Sequence, residues 1–108
     1  VDFLEVEGKD KEDIICEVFG LSDAQREIFN RLQGAEMRVK SIADEVDRDR
    51  STVQRALKDM TDKELLEREQ RTDHTVYYLY TAPGMDNLEA LTKRVLQEWY
   101  NTVLQKLS

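Results

Sequence analysis

MRVKSIADEVDRDRSTVQRALKDMTDKELLEREQRTDHTVYYLY, residues 37–80, decides the reading of this chain. Ile42, Ala43 and Val46 fall on one face of a helix over about residues 40–47, and Ala43 is small enough for a second helix to cross it closely. Asp47-Arg48-Asp49-Arg50 is polar and reads as a turn. Either Asp49 or Ser51 offers the short side-chain oxygen that caps a following helix. That second helix covers about residues 51–63, with Val53, Ala56, Leu57 and Met60 as its apolar stripe and Thr52, Gln54, Arg55, Lys58 and Asp59 on the opposite face. Two strand-like runs follow, 65–69 and the β-branched and aromatic 76–80, joined by a polar linker at about 70–75. Residues 35–39 can add a short third strand, with Met37 and Val39 facing one way. At Glu64, where the second helix meets the hairpin, a left-handed residue would end the helix, or the helix ends in another way.

Working outward, residues 12–19 form a short helix with Ile14, Ile15, Val18 and Phe19 apolar. Ser22 and Gln25 fit a capping box, and Ala24, Ile28, Phe29 and Leu32 face the core from the helix it opens, which Gly34 ends. Pro83 and Gly84 break the chain after the hairpin. A last helix of about 22 residues, some 33 Å long, follows over residues 85–107. Leu88, Leu91, Val95, Trp99, Val103 and Leu107 line one stripe, widened by Leu96, Tyr100 and Leu104. A band this broad exceeds what a small domain covers, which predicts a two-fold homodimer interface. The bland reading folds the helix back on its own domain. The expected organisation is an acidic segment 1–11, a helix-and-hairpin domain 12–82 and a dimerisation helix 83–108. The fold class is mainly α with a small β-hairpin (α+β). Phe3, Leu4 and Val6 are read as an edge strand or a docking segment.

Acids outnumber bases 23 to 16, for a net charge of −7. The imbalance is uneven. Residues 1–20 hold seven acids and two lysines, whereas residues 48–58 set Arg48, Arg50, Arg55 and Lys58 against Asp49 alone. Phosphate binding responds to local charge first. In a helix-turn-helix the early residues of the second helix reach base edges and flanking residues hold phosphates. Arg50, Ser51, Thr52, Gln54 and Arg55 occupy those positions. Gln54 suits adenine and Arg55 guanine, each by paired hydrogen bonds, and Thr52 offers a methyl to thymine or a hydroxyl to phosphate. Arg48, Lys40 and Lys58 read as phosphate contacts, and Arg71, Thr72 and His74 as minor-groove or backbone contacts from the hairpin. The expected partner is double-stranded DNA; the bland alternative is a solvated polar face.

These residues resemble the winged helix-turn-helix domain of archaeal TrmB-like and MarR-like regulators. The resemblance covers about residues 13–80. It is carried by Val18-Phe19-Gly20-Leu21-Ser22, Ile42-Ala43, Arg48-Asp49-Arg50-Ser51-Thr52-Val53 and Leu65-Leu66-Glu67-Arg68. It implies transcription regulation by a small, dimeric, single-domain member, without the sugar-binding domain of larger TrmB proteins. The glycine often found before the first wing strand is absent at Glu64.

Acid richness with nine arginines against seven lysines suits a halophile as well as an ordinary acidic cytosolic protein. In size, composition and cysteine placement the chain is also similar to OxsR-like haloarchaeal thiol redox regulators, which implies redox sensing at Cys16. Helical periodicity turns Cys16 away from the centre of its helix's apolar stripe, towards accessibility. Glu12, Asp13 and Glu17 beside it would raise its pKa and slow oxidation. An inert, packed cysteine is the alternative.

A second function class is a winged-helix protein-interaction module in a transcription or chromatin assembly. An enzyme is a poor third, with one His, one Cys and no nucleotide-binding loop. No catalytic residues, metal ligands or cofactors are expected. His74 has only Asp73 beside it, short of a zinc pattern. A small-molecule effector near Tyr78, Trp99 or Tyr100 is open, though such aromatics more often serve core and interface. With no signal-like or membrane-spanning run, a cytoplasmic protein is expected.

Overall fold

The apolar stripes predicted from periodicity become helix faces in the computed structural model, which describes residues 8–108. In chain order the elements are α1 (Lys11–Val18), α2 (Asp23–Arg31), α3 (Val39–Val46), α4 (Arg50–Asp62), β1 (Glu67–Asp73), β2 (Thr75–Thr81) and α5 (Met85–Leu107). They form two compact units, one of residues 8–20 and 85–108 and one of residues 21–84. The expectations for Phe3, Leu4 and Val6 lie outside the described residues.

The second unit is a winged helix-turn-helix: α2, α3 and α4 pack on one another, and an antiparallel hairpin follows. Its core is Ile28, Phe29, Leu32, Ile42, Val53, Leu57, Met60 and Leu65, each at most 1% exposed. The Ser22–Gln25 capping box forms, with both reciprocal hydrogen bonds made. The Gln25 side chain then donates to the Asp59 carboxylate at 2.7 Å and ties α2 to α4. Asp47 ends α3 in the left-handed region at φ 51°. Two residues later Asp49, not Ser51, caps α4 by accepting from the Thr52 N–H at 3.2 Å. The entire turn therefore occupies only three residues, 47–49, and Arg50 is already helical. At the other end of α4, Glu64 takes φ 65°. The Leu65 N–H donates to the Met60 carbonyl at 2.9 Å and the Glu64 N–H to Thr61 at 3.0 Å. That pattern normally uses glycine at the left-handed position.

The hairpin departs from expectation. Residues 70–73, read as linker, belong to β1, and the register runs from Glu67↔Thr81 to Asp73↔Thr75. His74 alone makes the tip, at φ 63°. Every residue of β1 is exposed, so polar side chains cost nothing there and backbone pairing sets the strand's length. The third strand shrinks to one bridge, Met37 with Tyr80, closed by hydrogen bonds of 3.0 and 2.9 Å.

In the first unit α1 packs on α5, and Lys11 pairs with Glu89 across them. Asp10 caps α1. Leu88, Leu91 and Thr92 of α5 are buried, and the Thr92 hydroxyl donates to the Leu88 carbonyl at 2.7 Å. The accessible position expected for Cys16 is overturned: it is 3% exposed, beside Ile15 at 2%. Ile14, Val18 and Phe19 are only half-buried. The arc that α1 buries is set by its neighbours, not by the centre of its own apolar side chains, and a thiol packs there as a small apolar group.

Candidate nucleic-acid interface

The exposed surface of α4 presents Arg50, Ser51, Gln54, Arg55 and Lys58. Arg50, Gln54 and Lys58 follow one another at the four-residue spacing that aligns side chains along a helix. Arg50 and Gln54 share a cleft of about 550 Å³ with Arg38, Lys40 and Ser41 from the start of α3 and with Val76, Tyr77 and Tyr78 of β2. Helix α4, the entry to α3 and the hairpin thus converge on one concave, cation-rich surface.

The expected contact residues divide by their partners. Lys40, Arg50 and Arg55 are exposed and form no ion pair with a described residue. Arg48 is held by Glu27 at 3.5 Å, Lys58 by Asp62 at 2.9 Å and Arg71 by Glu69 at 3.1 Å. All three remain exposed, and ion pairs of this kind are weak enough for a phosphate to displace. Glu69 raises the Arg71 pKa further by its hydrogen bonds and its charge. The Thr52 hydroxyl donates to Asp49, so it is committed to the helix cap and its methyl is the freer part. That bond, then the Thr52 backbone N–H, holds the Asp49 carboxyl below the usual carboxylate range. Ser51 is exposed beside Arg50. Thr72 stands on β1 and His74 at the wing tip, with the His74 side chain 98% exposed.

Arg38 is the residue that sequence reasoning missed. It precedes α3, and its guanidinium lies 4.0 Å from the centroid of the Tyr77 ring. Tyr77 stands 39 positions later, and nothing in local periodicity links the two. No group of three or more His, Cys, Asp or Glu among the described residues is arranged to hold a metal ion. No helix among them is long and apolar enough to cross a membrane.

Residues 17–84 match the family described as "Sugar-specific transcriptional regulator TrmB". An uncharacterized protein of Methanocaldococcus jannaschii is 33% identical over 99 residues, which cover 90% of this chain and 82% of that protein. The structure is similar to that of a "Possible transcriptional regulator" from Methanosarcina mazei, with a TM-score of 0.75 and 23% identity over 89% of this chain and 84% of that one. A MepR variant of S. aureus bound to an oligodeoxyribonucleotide shares the fold at a TM-score of 0.57 and 20% identity, over 98% of this chain and 80% of that one. The chain belongs to the TrmB family of transcriptional regulators.

Proposed function

We infer that this TrmB-family chain is a dimeric, sequence-specific regulator of transcription that binds double-stranded DNA in the cytoplasm. Helix α4 enters the major groove and the wing lies on the minor groove or backbone. The observation that carries this reading is the trio Lys40, Arg50 and Arg55, exposed at the two helices of the turn and in no close ion pair with a described residue, Arg55 acting on Asp49 only through its charge. In a chain with net charge −7, exposed cations outside close ion pairs are the places where a polyanion gains most. Gln54 and Arg55 read base edges; Lys40 and Arg50 hold phosphates; Arg48, Lys58 and Arg71 join them by exchanging a carboxylate for a phosphate; Ser51, Thr52, Thr72 and His74 complete the contact.

Helix α5 supplies the dimer. Trp99 is 62% exposed and Leu107 79%, and Leu96, Tyr100 and Leu104 are exposed with them. So continuous an apolar surface on a 23-residue helix suits a second copy of the same helix. Cys16 has no part in this reading, because a thiol 3% exposed is shielded from oxidant within the folded protomer.

The same exposed face of α5 favours a second reading, a protein-interaction module whose arginines are incidental. Fluorescence anisotropy with a selected duplex separates the two. Arg50→Ala and Arg55→Ala should each weaken DNA binding while sedimentation still shows a dimer. Unchanged DNA binding, with a protein partner lost on mutation of α5, would favour the interaction module.

A further inference from the structure

Two arginines of the helix-turn-helix unit stack on neighbouring tyrosines of β2, in opposite electrostatic surroundings. Arg68 lies 4.3 Å from the Tyr78 ring centroid, beside a cavity of about 390 Å³ lined by Glu36, Glu67 and Glu69. Arg38 lies 4.0 Å from the Tyr77 centroid, and the cleft it lines holds Lys40 and Arg50 and no carboxylate. Stacking covers one face of a guanidinium and leaves its in-plane N–H donors free. For Arg68 nearby acids supply the negative charge. For Arg38 nothing lining the cleft does, and three like charges in one concavity repel until an anion enters.

The backbone fixes where Arg38 stands. Its neighbour Met37 is bridged to Tyr80 in both directions, which anchors the entry to α3 on β2. Arg38 occupies the position before α3, yet its side chain makes no capping hydrogen bond and lies over Tyr77 instead. One side chain therefore joins the helix-turn-helix to the middle of the wing, where Tyr77 pairs with Arg71.

We propose that Arg38, stacked on Tyr77, completes with Lys40 and Arg50 a three-cation seat for one phosphodiester of the DNA backbone, so that seating the backbone and fixing the wing are one event. This deepens the DNA-binding reading and rests on it. Arg38 supplies both a charge and a rigid plane; the charge sets salt dependence, and the plane sets how firmly the wing is held.

The test is the affinity of the full chain for a duplex selected by the wild-type protein, measured by anisotropy between about 0.05 and 0.2 M KCl. Arg38→Ala makes the slope of log affinity against log salt shallower by about 0.9, which near 0.1 M salt is about an eightfold loss. Arg38→Lys keeps the slope and recovers only part of the affinity. Tyr77→Leu also keeps the slope, weakens binding and removes the advantage of arginine over lysine at position 38. Arg68→Ala changes neither slope nor affinity. An unchanged slope in folded, dimeric Arg38→Ala, while Arg50→Ala flattens it, overturns the proposal; so does an equal effect from Arg68→Ala. Wild-type protein that selects no duplex at all would instead bring down the DNA-binding reading itself.

Discussion

Helices α4 and α5 are both amphipathic, and the chain treats their two faces in opposite ways. The apolar stripe of α4, Val53, Ala56, Leu57 and Met60, is buried along its whole length, and what remains outside is polar and cationic. The apolar stripe of α5 is buried at Leu88 and Leu91, then runs out into solvent at Trp99, Leu104 and Leu107. The first helix has finished its folding work and offers charge; the second still has apolar surface to cover. The difference teaches where each unit has surface left to use: charge on α4, uncovered apolar area on α5, which the proposed reading gives to DNA and to a second copy.

The largest effect should come from damaging the uncovered half of α5. Trp99→Asp combined with Leu104→Asp should give monomers in sedimentation and weaken DNA binding by about 10² to 10⁴, because two linked half-site contacts become one. Retention of the dimer would break the comparison. Next in size is the covered stripe. Leu57→Ala should cost about 2–5 kcal/mol in urea denaturation, since it empties a site 1% exposed. Leu107→Ala, measured at concentrations below dimerisation, should stay within about 0.5 kcal/mol. The same chemical change then reports opposite burial in the two helices.

Smaller again are the cations of α4. Arg55→Ala should cost about 1–3 kcal/mol against the preferred base and little against the others. Lys58→Ala should lose less than Arg50→Ala, because Lys58 must first leave Asp62. The smallest effect is the response to acid. The Asp49 carboxyl is held low by the hydroxyl and backbone N–H of Thr52, and the Asp59 carboxyl by Gln25 and Lys63. Their folded pKa values lie below the unfolded ones. Their stabilisation is therefore present above the ordinary carboxylate range and is lost as pH falls through the depressed values. Asp49→Asn keeps a capping oxygen but cannot titrate, so its unfolding midpoint should fall less steeply below about pH 4 than that of the wild type.

Much of this was written in local periodicity. The predicted bounds of α3 and α4 fall within one residue of those observed, because each stripe is finished inside its own unit and the polar turn with its capping Asp49 separates the two helices. Periodicity makes the wing too short because β1 is exposed on every residue, so no alternation marks it and only its pairing with β2 defines it. Periodicity misplaces Cys16 because it gives the direction of a stripe but not which arc the neighbours cover. Among the cations, the Lys58–Asp62 pair is legible from its spacing of four, whereas Arg48–Glu27 and Arg38–Tyr77 join distant segments and exist only once the chain is folded.

The central claim is that cations left unpaired at the helix-turn-helix, in a chain dimerised through α5, select a site on DNA. Selection from a random duplex pool by purified wild-type protein, beside Arg50→Ala with Arg55→Ala, tests it most directly. The account predicts an enriched two-fold symmetric site whose half-sites lie about 10 base pairs apart, or a multiple of that, and its disappearance in the doubly substituted protein. Enrichment of nothing by the wild type, or equal enrichment by both proteins, would contradict it.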